Sequence, residues 1–172
     1  MRYFNGFSLK NEEIFFKEYL IDSDYSVAGF SYGAQRAFEY VYNSSNRVDR
    51  LILLSPAFFQ NQKKSFVKTQ LRYFKTNSDS YTEHFVKNVA YPSDIDLRDY
   101  LDIGSYDDLE SLLLYSWDRD KILELIDRGV EIEVFLGEKD KIVDTQESFE
   151  FFSGLTTTYL IKGVGHLLVS EI

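Results

Sequence analysis

A chain of 172 residues with 44% hydrophobic and 17% aromatic composition can bury one sizeable core, and its length predicts a single domain, residues 1–172. It has no cysteine and two histidines, which excludes a disulfide framework and a thiolate metal site and leaves the chemistry to oxygen and imidazole. A net charge of −9 argues against nucleic acid as a partner, because phosphate binding depends on Lys and Arg.

The start, Met1 to Gly6, lacks the charged head and apolar run of a signal peptide, and no apolar stretch approaches membrane-spanning length. A cytoplasmic protein without stable membrane association is expected.

Arg2 to Phe4 reads as a short strand running into the turn Asn5-Gly6-Phe7, and Asn11 to Leu20 has helical spacing at Ile14, Phe15 and Tyr19. Tyr25 to Phe30 is an apolar run that stops at Ser31, after which Gly33 to Tyr42 places Ala34, Ala37, Phe38 and Val41 on one helical face. Val48 to Ser55 is rich in branched side chains, as in a strand buried on both faces, and Pro56 ends it.

The pattern then turns helical, with Gln60 to Lys75, Tyr81 to Asn88 and Tyr106 to Ser116 predicted as helices of an insertion over residues 58–117. Capping-box patterns stand at Ser80 to Glu83 and Ser105 to Asp108. Asp118 to Arg128 is a further helix stopped by Gly129, and Val130 to Leu136 alternates like a strand. A helix over Asp144 to Phe152 and a strand over Thr156 to Ile161 follow. Strands alternating with helices predict an α/β fold whose mostly parallel sheet is covered on both faces.

Gly29-Phe30-Ser31-Tyr32-Gly33 matches Gly-x-Ser-x-Gly, and it lies where a strand meets a helix. That is the context in which a sharp turn exposes a nucleophilic serine hydroxyl. The pattern alone arises by chance in roughly one chain in twenty of this length, so the context carries the assignment.

A serine hydroxyl needs a base, most often a histidine held by a carboxylate. His166 follows the last strand in Gly163-Val164-Gly165-His166, where such sheets build sites, whereas His84 falls within a predicted helix. The carboxylate is expected after a strand between serine and histidine, where Glu138, Asp140, mid-loop, and Asp144 follow the strand ending at Leu136. Asp144 opens a capping-box pattern with Glu147, which already explains it, so Asp140 is favoured. Backbone N–H groups of Tyr32 and Phe7 are the expected oxyanion donors, with Gly6 permitting close approach. Neither a metal nor a cofactor is required by this chemistry.

Between Gln60 and Asn77 there are five basic residues and no acid. Lys64, Lys68, Arg72 and Lys75 fall on one side of the predicted helix, with Phe66, Val67, Leu71 and Phe74 largely on the other. Such a helix can cover a site by its apolar face and present positive charge to an acidic partner.

Through Phe4 to Phe7, Gly29 to Gly33, Gly137 to Val143 and Gly163 to His166, the chain resembles the α/β-hydrolase superfamily. More narrowly it resembles the compact pimeloyl-acyl-carrier-protein methyl ester esterases of biotin synthesis, which share the short amino terminus, the Gly-Phe-Ser elbow and the stretch Ile132 to Ile142. The resemblance implies a truncated hydrolase with about five strands and the insertion 58–117 as a helical lid. Asn5 stands where the superfamily usually has histidine. Three strands at one edge of the superfamily's sheet have no counterpart, and Leu167 to Ile172 can form at most one turn of its terminal helix.

The function it implies is serine carboxylester hydrolysis of a methyl-esterified acyl chain on acyl carrier protein, which would dock on Lys64, Lys68, Arg72 and Lys75. Two rivals stand beside it: a broad carboxylesterase or thioesterase using the same residues, and an inactive hydrolase-fold binding module.

Overall fold

The computed structural model describes residues 1–170. In chain order they form β1 (Arg2–Phe4), a 3-10 turn (Glu12–Phe16), β2 (Ser26–Phe30), α1 (Tyr32–Asn43), β3 (Arg50–Leu54), α2 (Lys64–Thr76), α3 (Ser78–Ala90), a 3-10 turn (Arg98–Tyr100), α4 (Tyr106–Leu114), α5 (Arg119–Asp127), β4 (Glu131–Gly137), α6 (Thr145–Ser153) and β5 (Thr157–Ile161). The five strands make one parallel sheet in the order β1-β2-β3-β4-β5.

The pleat sorts the strand residues between two cores. Val27, Leu51, Leu53, Val134 and Leu136 face α1, α5 and α6, packing on Ala34, Phe38, Ile122, Leu125 and Phe152. Ala28, Phe30, Ile52 and Leu54 face the other way, onto Phe16, Leu97, Val164 and Leu167. Every residue of β2 is buried, which is why Val27 to Phe30 read as an unbroken apolar run. Phe16, Phe30 and Phe38 are fully buried, each worth about 1.5–3 kcal/mol of transfer free energy.

A third core belongs to the connection between β3 and β4, where Val67, Leu71 and Phe74 of α2 meet Leu109, Leu112 and Leu113 of α4 over Phe7 and Phe59. Trp117 closes this connection, its indole N–H donating to the Ala57 carbonyl at 2.9 Å and its backbone N–H to Gln60 Oε1 at 2.7 Å.

Three local expectations are corrected. The segment 11–20 is not an α-helix: Asn11 is left-handed (φ 56°), and Tyr19 and Leu20 N–H both return to the Phe16 carbonyl, so the turn closes after Phe16. Ile14, counted on its apolar face, is exposed. The helix expected from Gln60 starts only at Lys64, because Gln60 is engaged with Trp117. Finally, Ser80 caps nothing: α3 begins two residues earlier, and Asn77 Oδ1 accepts the Ser80 N–H at 3.0 Å.

The capping box of Ser105 and Asp108 is present with both bonds. Leu167 to Ser170 carry no helix, and the rest of the single turn allowed there, Glu171 and Ile172, lies outside the described residues. Among the described residues no helix is long and apolar enough to cross a membrane.

Candidate active site

Ser31 occupies the one residue between β2 and α1, with φ 54° and ψ −112°. A non-glycine residue held there carries strain of order 1–3 kcal/mol, supplied by the surroundings. Its N–H donates to the Leu54 carbonyl at 2.9 Å, and its own carbonyl accepts from Ala34 and Ala57 N–H, both at 3.1 Å. The turn is therefore clamped from β3 and from α1. Gly33 is required by close approach: a Cβ there would lie 2.0 Å from the Phe4 carbonyl oxygen. The end of β1 thus runs directly against the serine turn.

His166 arrives from the loop after β5 and is fully buried. A carboxylate only accepts, so His166 Nδ1–H donates to Asp140 Oδ2 at 2.6 Å, and Nε2 accepts from Ser31 Oγ–H at 2.9 Å. Asp140 Oδ1 in turn accepts from the N–H groups of Ile142 at 2.7 Å and Val143 at 3.1 Å, which fixes the carboxylate plane. Its side chain is 1% exposed.

Asp144, the alternative acid, is exposed and caps α6, accepting the Glu147 N–H at 3.0 Å. The two roles that sequence spacing left open are thereby separated in space. His84 is not beside Asp140 but on α3, where it lines the cavity above Ser31.

That cavity has a volume of about 550 Å³, within the range of about 300–1,000 Å³ typical of small-molecule sites. Its lining includes the apolar Phe59, Leu109 and Leu113 and the polar Gln70, Tyr81 and His84. Burial pushes the Tyr81 phenol up to about 12, so it stays neutral and donates to Gln70 Oε1 at 2.9 Å.

The expected oxyanion donors come from two elements, the start of α1 and the loop after β1. Tyr32 is the first residue of α1, so its N–H belongs to the helix end that has no intrahelical acceptor. Phe7 follows β1, its ring buried against Phe74 and Phe85. A Cβ at Gly6 would lie 2.8 Å from the Phe30 ring, so glycine there also spares a packing clash.

The charged side chains Lys64, Lys68, Arg72 and Lys75 are exposed on α2, while Val67, Leu71 and Phe74 are buried. None of the four has an ion-pair partner among the described residues.

Two residues near the site carried no signal in the sequence. Ser55 Oγ donates to the His166 carbonyl at 2.7 Å, and Glu12 Oε1 accepts the Gly6 N–H at 2.7 Å. Among the described residues no cluster of His, Cys, Asp or Glu could hold a metal ion.

No family model and no curated protein sequence matches the chain. Solved structures do. An esterase from Exiguobacterium antarcticum superposes with a TM-score of 0.64 at 20% identity, over 90% of this chain and 63% of its own. A bromoperoxidase from Bacillus anthracis gives 0.62 at 14% identity, over 83% of this chain and 60% of its own. BioG from Haemophilus influenzae gives 0.57 at 11% identity, over 96% of this chain and 87% of its own. The chain spans about three fifths of the length of the first two and most of the third. The parallel five-stranded sheet, the strained serine between β2 and α1 and these superpositions together establish that the chain has a compact, truncated α/β-hydrolase fold.

Proposed function

We propose that the chain is a serine carboxylester hydrolase in which Ser31 is the nucleophile, His166 the general base and Asp140 the acid that orients it. The observation that carries this reading is the continuous hydrogen-bonded line Ser31 Oγ, His166, Asp140 at 2.9 and 2.6 Å, set on a strained turn at the floor of a cavity.

Ser31 Oγ attacks the ester carbonyl as His166 Nε2 takes its proton. The tetrahedral oxygen collects negative charge, which Tyr32 and Phe7 N–H stabilise. The protonated imidazole returns the proton to the departing alkoxide, releasing an alcohol and leaving acyl-Ser31. Water then attacks by the same route in reverse, giving the free acid and restoring Ser31. Asp140 keeps the imidazole in the tautomer whose Nε2 can accept.

For the substrate we infer a methyl-esterified acyl chain carried on acyl carrier protein, as in the biotin-precursor step that the sequence resemblance implies. Three observations support it: the cavity lining includes Phe59, Leu109 and Leu113, which suit an acyl chain, the cations of α2 have no ion-pair partner among the described residues and suit an acidic carrier, and the likeness to BioG extends over 96% of the chain. Residues 58–117 act as the lid between cavity and carrier. A cytoplasmic location follows from that partner.

Two measurements test the reading. A fluorophosphonate should label wild-type protein on Ser31 and leave Ser31→Ala unlabelled; absence of labelling would favour the inactive binding module. Mass spectrometry of pimeloyl-carrier methyl ester should show loss of the methyl group with the thioester intact. Cleavage at the thioester instead would make the protein a thioesterase, and turnover of free esters alone would make it a broad carboxylesterase.

A further inference from the structure

Among the described residues no cation pairs with the buried carboxyl of Glu12. Glu12 is 0% exposed, its Oε1 accepts from the Gly6 N–H at 2.7 Å and from the Tyr3 hydroxyl at 3.3 Å, and its Oε2 has no hydrogen-bond partner among the described residues. Burying a carboxyl costs several kcal/mol when it is charged and unpaired, so an apolar residue would serve a merely structural place better. Desolvation accordingly holds its pKa above the ordinary carboxylate value, against the opposing pull of the Gly6 bond.

What the carboxyl grips is the peptide N–H one residue before Phe7. Gly6 cannot shift toward the core, since the Phe30 ring lies beneath it, and Ser8 beyond it is left-handed (φ 59°). On its far side the loop is tied by the Asp102 N–H donating to the Ser8 carbonyl at 3.0 Å and the Gly104 N–H donating to Ser8 Oγ at 3.1 Å. On its near side, between β1 and Ser8, Glu12 accepts the Gly6 N–H at 2.7 Å, and the Gly6 carbonyl accepts the Leu9 N–H at 3.3 Å. The Phe4 and Asn5 carbonyls meanwhile abut Gly33 of the serine turn. The orientation of the Phe7 peptide relative to Ser31 is thus set from two directions, by the longer Leu9 bond on the Gly6 carbonyl and by the shorter side-chain bond through which Glu12 holds the Gly6 N–H.

We infer that Glu12 is a positioning residue of the oxyanion loop, fixing through Gly6 the direction of the Phe7 N–H toward the developing negative charge. This rests on the proposed hydrolase reading. Glu12 touches no reacting atom and acts only by its bond to Gly6. The bond needs an acceptor at the end of a two-methylene arm, not a charge.

Four proteins decide it: wild type, Glu12→Gln, Glu12→Asp and Glu12→Ala, assayed on p-nitrophenyl butyrate and titrated with a trifluoromethyl ketone that mimics the tetrahedral adduct. Glu12→Gln keeps the acceptor and should keep kcat. Glu12→Asp retracts it and Glu12→Ala removes it, so both should lose about tenfold to a hundredfold in kcat with KM little changed. Their affinity for the ketone should fall in parallel with kcat. Should Glu12→Ala fail to fold, the contrast of Gln with Asp carries the test. The role is overturned if Glu12→Asp matches wild type, if Glu12→Gln is as slow as Glu12→Asp, or if KM rises while ketone affinity holds. Wild-type protein inert to esters and to fluorophosphonate would overturn the hydrolase reading itself and this role with it, whereas active wild type with a fast Glu12→Asp overturns the role alone.

Discussion

Ser55 and His166, far apart in the chain, are joined by a 2.7 Å hydrogen bond from the serine hydroxyl to the histidine carbonyl. Ser55 is the residue after β3, itself left-handed (φ 40°) and fully buried. With the Leu167 N–H donating to the Val89 carbonyl at 3.2 Å, it anchors the histidine loop from both the sheet and α3. Replacing it by Ala leaves a buried carbonyl unsatisfied, at about 1–3 kcal/mol. Ser55→Ala should lower the urea midpoint and reduce kcat by less than loss of His166 does. A stability equal to wild type would show that water replaces the bond.

Ser31→Ala should abolish ester hydrolysis and leave the fold in place, because only a small side chain is removed. Circular dichroism and turnover of p-nitrophenyl butyrate measure the two halves. Near-normal turnover would transfer the nucleophile elsewhere.

Asp140 and Asp144 offer a paired test. Asp140→Asn should lower kcat by about 10³- to 10⁴-fold through loss of the imidazole tautomer. Asp144→Ala should cost about 1 kcal/mol of stability as a lost helix cap and leave kcat nearly unchanged. The opposite ranking would give the acid role to Asp144.

Glu12 makes a prediction about pH with a definite sign. A carboxyl whose native pKa is raised stabilises the fold fully below its ordinary value and loses that contribution as pH rises through the raised one. Glu12→Gln has no such proton to lose. The thermal midpoint of the variant relative to wild type should therefore climb between pH 4 and pH 8. A wild type that gains on the variant over that interval would refute the direction of the shift.

Charge reversal at Lys64, Lys68 and Arg72 should weaken hydrolysis of a carrier-bound ester, chiefly in kcat/KM, and spare a small free ester. Added salt should mimic it in wild type, since the Debye length falls from about 10 Å at 0.1 M to about 3 Å at 1 M. Equal loss on both substrates would point to a damaged fold.

The serine turn was legible because strand, glycines and helix are contiguous, and the backbone strain at Ser31 follows from that local pattern. The place of Asp140 beside His166 was legible by subtraction, Asp144 being explained by its cap. Ser55 and Glu12 were not, because each acts on a residue it meets only after folding and neither residue type is diagnostic. The 3-10 turn at Glu12–Phe16 escaped for a related reason. Its apolar spacing imitates a helix, but Phe16 drops onto Phe30, with ring centres 4.8 Å apart, and the chain leaves the helical path.

The placement of that turn has a topological consequence. All four strand-to-strand connections step the same way across the sheet, and three of them cross on the face packed by α1, α5 and α6. The connection from β1 to β2 crosses on the opposite face, where Phe15 and Phe16 pack, so its hand is opposite to the other three. About 98% of parallel crossovers are right-handed because strand twist favours that path, which makes the β1 connection the left-handed exception. Nothing in the twist recruits β1 to its place. It is kept there by its parallel pairing with β2, by Phe4 packing on Tyr40 with ring centres 5.6 Å apart and by the Glu12 bond to Gly6, so this three-residue edge strand, with few contacts of its own, should be the first part of the sheet to open.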